Sequence, residues 1–74
     1  MKDVFDNEVF IGDKLIFIPP KYSGKHAVYL SSMLHYGIVI KLTKDNNGCY
    51  IKSLNSNWDE PILRYQYQIY KISS

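Results

Sequence analysis

The chain has 74 residues, a formal charge of +2 and a single cysteine, Cys49. That length allows one small domain, which buries only about 60% of the surface its unfolded chain exposes. The lone thiol excludes an intrachain disulfide and a four-cysteine zinc site. No apolar run nears the roughly 20 residues of a membrane span, and Met1 to Asp6 lack a signal-peptide core, so the chain reads as a soluble, cytoplasmic protein.

Residues 1–8 are acidic and alternate poorly, which predicts a short tail or edge segment ahead of a domain over 9–74. Residues 1–13 set Lys2 against Asp3, Asp6, Glu8 and Asp13; residues 14–74 hold eight basic and three acidic side chains. The body is therefore mildly basic, less so than a dedicated nucleic-acid binder. Val9 to Ile18 is the first strand region, with Gly12-Asp13 a turn or bulge before the strand proper. Period-2 alternation puts Leu15 and Phe17 on the core face and Lys14, Ile16 and Ile18 on the other.

Pro19-Pro20 ends this strand because neither residue can donate to a ladder. A long loop follows to Ser32, with a short helical turn expected between Ala27 and Leu34. Tyr36 to Leu54 reads as one β-hairpin, and the chain is organised around it. Both arms are β-branched and aromatic, with Asn47-Gly48 at the join to supply positive φ. Gly37 is expected to permit a bulge or bend. Ile38, Ile40 and Leu42 share one face, opposite Val39 and Lys41; in the second arm Cys49 and Ile51 oppose Tyr50 and Lys52. A polar loop carries Trp58. Ile62 to Arg64 is a short strand, Tyr65 to Tyr67 a 3₁₀ turn, and Gln68 to Ile72 the closing strand. The expected core is Leu15, Phe17, Ile38, Ile40, Ile51 and Ile69, and Leu63, Tyr70 and Ile72 compete for the remaining inside positions. The fold class is all-β.

Ile11-Gly12-Asp13-Lys14-Leu15-Ile16-Phe17, a variable loop, Tyr36-Gly37-Ile38-Val39-Ile40-Lys41-Leu42 and the closing Arg64 to Ile72 together resemble an SH3-like small barrel of the KOW-like kind. The resemblance covers residues 9–72. It implies a single five-stranded barrel with one long loop and a 3₁₀ turn before the last strand, acting as a binding module. Short barrels rich in tyrosine, lysine and asparagine are also similar to small accessory proteins of large tailed phages, which implies a host factor as partner and a role such as inhibitor.

No residue set identifies a reaction, so the expectation is a protein that is not an enzyme and carries no cofactor and no metal. His26, His35, Cys49, Asp59 and Glu60 are the groups able to ligate or attack, and none falls in a recognised metal spacing. Tyr, Trp and Arg are enriched at interface hot spots. The preferred partner-binding set is therefore Lys21, Tyr22, Lys25, His26, Tyr29 and Trp58, docking on a protein. The alternative is RNA or DNA binding, with Arg64, Tyr65 and Tyr67 as the stacking and phosphate-tracking group. No membrane contact is expected, and both a monomer and a homodimer fit.

Overall fold

The computed structural model describes residues 1–19, 35–55 and 59–73. The loop expected from Pro19-Pro20 to Ser32, the helical turn at 27–34 and Trp58 lie outside these, apart from Pro19. Five antiparallel strands form one sheet: β1 (Lys14–Phe17), β2 (His35–Leu42), β3 (Gly48–Ser53), β4 (Ile62–Tyr65) and β5 (Ile69–Ser73). Their spatial order is β4-β3-β2-β1-β5. A 3₁₀ turn, Gln66–Gln68, joins β4 directly to β5, and no α-helix occurs among the described residues. The short turn carries the chain from one edge strand to the other, so the sheet must curl. Arg64 spans the gap from β4, its Nη1 donating to the Ile18 carbonyl just past β1 (3.3 Å).

The core takes one side chain in two from the strands: Leu15 and Phe17, Val39, Cys49 and Ile51, Ile62, and Ile69, with Met1 and Val9 closing it. Ile38 and Ile40, expected inside, are not part of it. Val39 is 1% exposed, whereas Ile40 is 43% exposed. The inward set on β2 is His35, Gly37 and Val39. The register explains why. Val39 pairs with Ile51 and Lys41 with Tyr50, so Ile40 is an extra residue in a bulge, and the alternation resumes one place later at Leu42, which packs against the core. A bulge shifts every later side chain by one face. The bulge is at Ile40 and not at Gly37. Gly37 instead allows close strand approach: a Cβ there would stand 2.3 Å from the Lys52 carbonyl oxygen. Leu63, Tyr70 and Ile72 all lose the competition for the inside to Ile62 and Ile69.

The β2–β3 turn also differs from the expected Asn-Gly geometry. The left-handed residue is Asn46 (φ 61°), and Gly48 belongs to β3. Thr43 and Asp45 hold the turn: Thr43 Oγ1 donates to Asp45 Oδ1 and accepts from the Gly48 N–H. The Thr43 hydroxyl foremost, and then the Asn47 N–H, hold the Asp45 carboxyl below the ordinary carboxylate range. Ahead of β1, Gly12 takes φ 96°, the turn the sequence predicts.

Residues 1–8 are folded onto the sheet. Lys2 bridges to Glu8, the Val9 N–H donates to the Met1 carbonyl (2.7 Å), and the Val4 N–H donates to the Ile69 carbonyl of β5 (3.0 Å). Along β4, the other edge strand, the Leu63 carbonyl accepts from Arg64 Nε (2.6 Å) and the Tyr65 N–H donates to Gln68 Oε1 (3.0 Å).

Urea unfolding tests this phase. Val39→Ala is expected to cost about 2 kcal/mol and Gly37→Ala about 1–3 kcal/mol through backbone displacement. Ile40→Ala, at the bulge, is expected to cost less than about 1 kcal/mol. A larger loss for Ile40→Ala than for Val39→Ala would overturn the β2–β3 register.

Candidate interaction face

Cross-strand pairing assembles the outward side chains into rows. Ile16 pairs with Tyr70 on one side and Tyr36 on the other, giving the row Tyr70–Ile16–Tyr36 across β5, β1 and β2. The next row is Lys14–Ile38–Lys52 across β1, β2 and β3. Tyr50 pairs with Lys41 and Leu63, and the Lys41 ammonium sits 5.9 Å from the Tyr50 ring centre. Tyr65 packs its ring over Gly48. Among the described residues this outer face carries four tyrosines, three lysines and no acidic side chain, and it leaves Ile18, Ile40 and Ile72 exposed.

Where the face meets the leading segment there is an open groove of about 430 Å³. Val4, Ile16, Ile18, Pro19, Tyr67 and Tyr70 are its walls, and the buried Phe17, His35 and Ile69 border it from below. Tyr67 is 75% exposed at its rim. Phe5 packs edge-on against Tyr70, with ring centres 5.2 Å apart.

One carboxylate fixes the wall that Val4 and Phe5 provide. Asp3 is buried, and its oxygens accept from the Phe5 N–H (2.9 Å), the Asn7 N–H (2.8 Å), Asn7 Nδ2 (3.2 Å) and the Lys71 N–H of β5 (2.8 Å). Burial works against the charged form, but these donors, Lys71 first, outweigh it and hold the Asp3 carboxyl below its ordinary value. Nearby, the Lys71 ammonium bonds buried Asp13 (3.1 Å) and the Glu8 carbonyl (2.9 Å).

The preferred set Lys21, Tyr22, Lys25, His26, Tyr29 and Trp58 lies outside the described residues. Arg64, Tyr65 and Tyr67 are described but do not form one surface. Arg64 takes the inward phase of β4 and bonds the Leu63 and Ile18 carbonyls. Tyr65 lies on the outer face, and Tyr67 stands at the groove. The residues missed as a site are Tyr36, Tyr70, Ile16, Ile18, Lys14 and Lys52. The outward residues Lys14, Ile16 and Ile18 in and just past β1 were visible in the alternation, but their neighbours depend on register.

The groups able to do chemistry are scattered. His35 is buried against the Phe17 ring, Cys49 is buried in β3, and Asp59 and Glu60 are exposed. Burial pushes the Cys49 thiol up to about 11, which leaves almost no thiolate at neutral pH. No three His, Cys, Asp or Glu side chains come together among the described residues. No helix among them is long and apolar enough to cross a membrane.

A family model described as a domain of unknown function, DUF7205, matches residues 1–72. The chain belongs to the DUF7205 family. No curated protein and no solved structure matches it. The DUF7205 match includes the leading segment, the part that carries Asp3 and the groove wall.

Two measurements check this arrangement. Asp3→Ala is expected to cost about 1–3 kcal/mol, because it leaves buried N–H donors without their acceptor. Since folding depresses the Asp3 pKa, the native state binds fewer protons than the unfolded one as this group titrates. Its contribution is complete above the unfolded value near 3.9 and fades as pH falls through the native value. The wild-type stability should therefore drop more steeply than that of Asp3→Ala below about pH 4. Separately, iodoacetamide at pH 8 should leave Cys49 unmodified in native protein and alkylate it in denaturant; rapid native labelling would contradict its burial.

Proposed function

We propose that this DUF7205 protein is a non-catalytic binding module, an SH3-like barrel that docks stoichiometrically on a protein partner. The observation that carries the reading is the outer sheet face, where Tyr70, Ile16 and Tyr36 form a row continuous with exposed Ile18 and an apolar groove. Contiguous exposed apolar surface rimmed by polar residues marks interaction sites on soluble domains, and tyrosines supply rigid contact area. The strand order and the 3₁₀ turn before β5 support the SH3-like reading. The resemblance to phage accessory barrels supports a host factor as the partner and inhibition as the effect. Lys21, Tyr22, Lys25, His26, Tyr29 and Trp58 remain candidates for a second part of the interface.

A second reading, nucleic-acid binding, draws on the tyrosines and lysines of the same face and its lack of acidic groups. It has less support. The aliphatic side chains between the tyrosines offer no π-face for bases, and each neutralised phosphate requires a cation.

Pull-downs from nuclease-treated and untreated lysate, with oligonucleotide titrations at two salt concentrations, separate the two. The expected result is a nuclease-resistant protein partner that Ile18→Asp releases while the melting temperature holds. Oligonucleotide binding at micromolar or tighter affinity, falling steeply with salt and accompanied by a nuclease-sensitive pull-down, would refute the protein reading.

A further inference from the structure

The outer face has a polarity that the protein-binding reading alone does not use. Its apolar end is the groove at β1 and β5, bounded by Ile16, Ile18, Tyr67 and Tyr70. Its charged part is the row Lys14–Ile38–Lys52. Lys14 lies two residues from Ile16 on the same side of β1, about 7 Å along the strand. The ion pairs of the described residues engage the N-terminal amine, Lys2 and Lys71, and none engages Lys14, Lys41 or Lys52. Two neighbouring acidic residues are used elsewhere: Asp13 is buried and pairs with Lys71, and Asp45 holds the hairpin turn. Among the described residues, three cations therefore stand on an apolar face without internal counter-charges.

We propose that this face docks an acidic segment of another protein, which seats one large apolar side chain in the β1–β5 groove and sets carboxylates on Lys14 and Lys52. The proposal rests on the protein-binding reading and names the chemistry of the partner. Charge complementarity selects against basic partners and speeds encounter, while the groove supplies the anchor that a face of lysines alone lacks. Ile38, between the two lysines, gives the segment an apolar strip to cross. A single strand of nucleic acid would meet the same lysines, but Ile16 and Ile38 interrupt the rings on which its bases would stack.

The test is a displayed library of short random peptides selected on the immobilised full chain, with Ile18→Ser as counter-selection, followed by fluorescence anisotropy on the synthesised winners. The expected winners combine Asp and Glu with a Leu, Phe or Trp. The double variant Lys14→Glu, Lys52→Glu should weaken them by about tenfold or more, and a winner with Lys in place of its acidic residues should bind that variant better than wild type. Ile18→Ser should weaken the original winners too. Neutral or basic winners that depend on Ile18 but ignore the lysine reversals overturn the acidic-segment inference and leave protein docking standing. An oligothymidine probe that displaces the winners and binds more weakly in high salt overturns both. A library with no enrichment over the Ile18→Ser control overturns the inference as well. Unchanged circular dichroism and melting curves establish that the exposed substitutions leave the fold in place.

Discussion

A buried carboxylate ties the two ends of this chain together. Asp3 accepts from the backbone of residues 5, 7 and 71, so the first turn of the protein and its last strand share one acceptor. An ionised oxygen pair can take several N–H donors at once, and such charge-assisted bonds are stronger than neutral ones. With the carboxylate in place, Val4 and Phe5 are held beside β5, Val4 lines the groove, and Phe5 meets Tyr70. The acidic leading segment is therefore a wall of the domain. Two of its carboxylates are buried, and the second, Asp13, supports the same corner through Lys71.

The outer face follows from a conflict between size and phase on β2. The strand contains two isoleucines and a valine, and the larger side chains are the ones left outside. Gly37 fixes this outcome, because its position leaves no room for a Cβ against Lys52 and must therefore lie where the strands close most tightly. Val39 follows it inward, and the bulge at Ile40 turns Leu42 back to pack against the core. With that phase Ile38 and Ile40 fall on the outer side, and without the bulge Lys41 instead of Leu42 would turn toward the core.

Strand identity and order of burial were legible where alternation was regular. Leu15 and Phe17 in β1 and Cys49 and Ile51 in β3 are inside as their period-2 pattern indicates. The 3₁₀ turn and the closing strand shift by about a residue, the ordinary uncertainty of element ends. Ile38 and Ile40 were misplaced because glycine carries no hydrophobic signal and a bulge leaves none. Asp3 was illegible for another reason: its partner Lys71 is close only after the sheet has formed, and the bond uses a backbone N–H that any residue could provide. The face was half legible. Lys14, Ile16 and Ile18 could be grouped from one strand, but Tyr36, Tyr70 and Lys52 join them only through the register.

The edges of the sheet bear on how anything can bind. β5 is overlaid by Val4 and the Asp3 carboxylate, and on β4 the side chains of Arg64 and Gln68 occupy backbone groups. Exposed edges recruit other chains through main-chain pairing, which is largely blind to sequence. With both edges partly filled from within, strand addition is hindered, and a partner of the proposed kind meets the face through its side chains. It need not be extended, and a helix or a folded surface could meet the tyrosines as well as a strand. On the proposed reading selectivity resides in shape and charge across the face, and the same internal caps limit strand-by-strand stacking of one copy on the next.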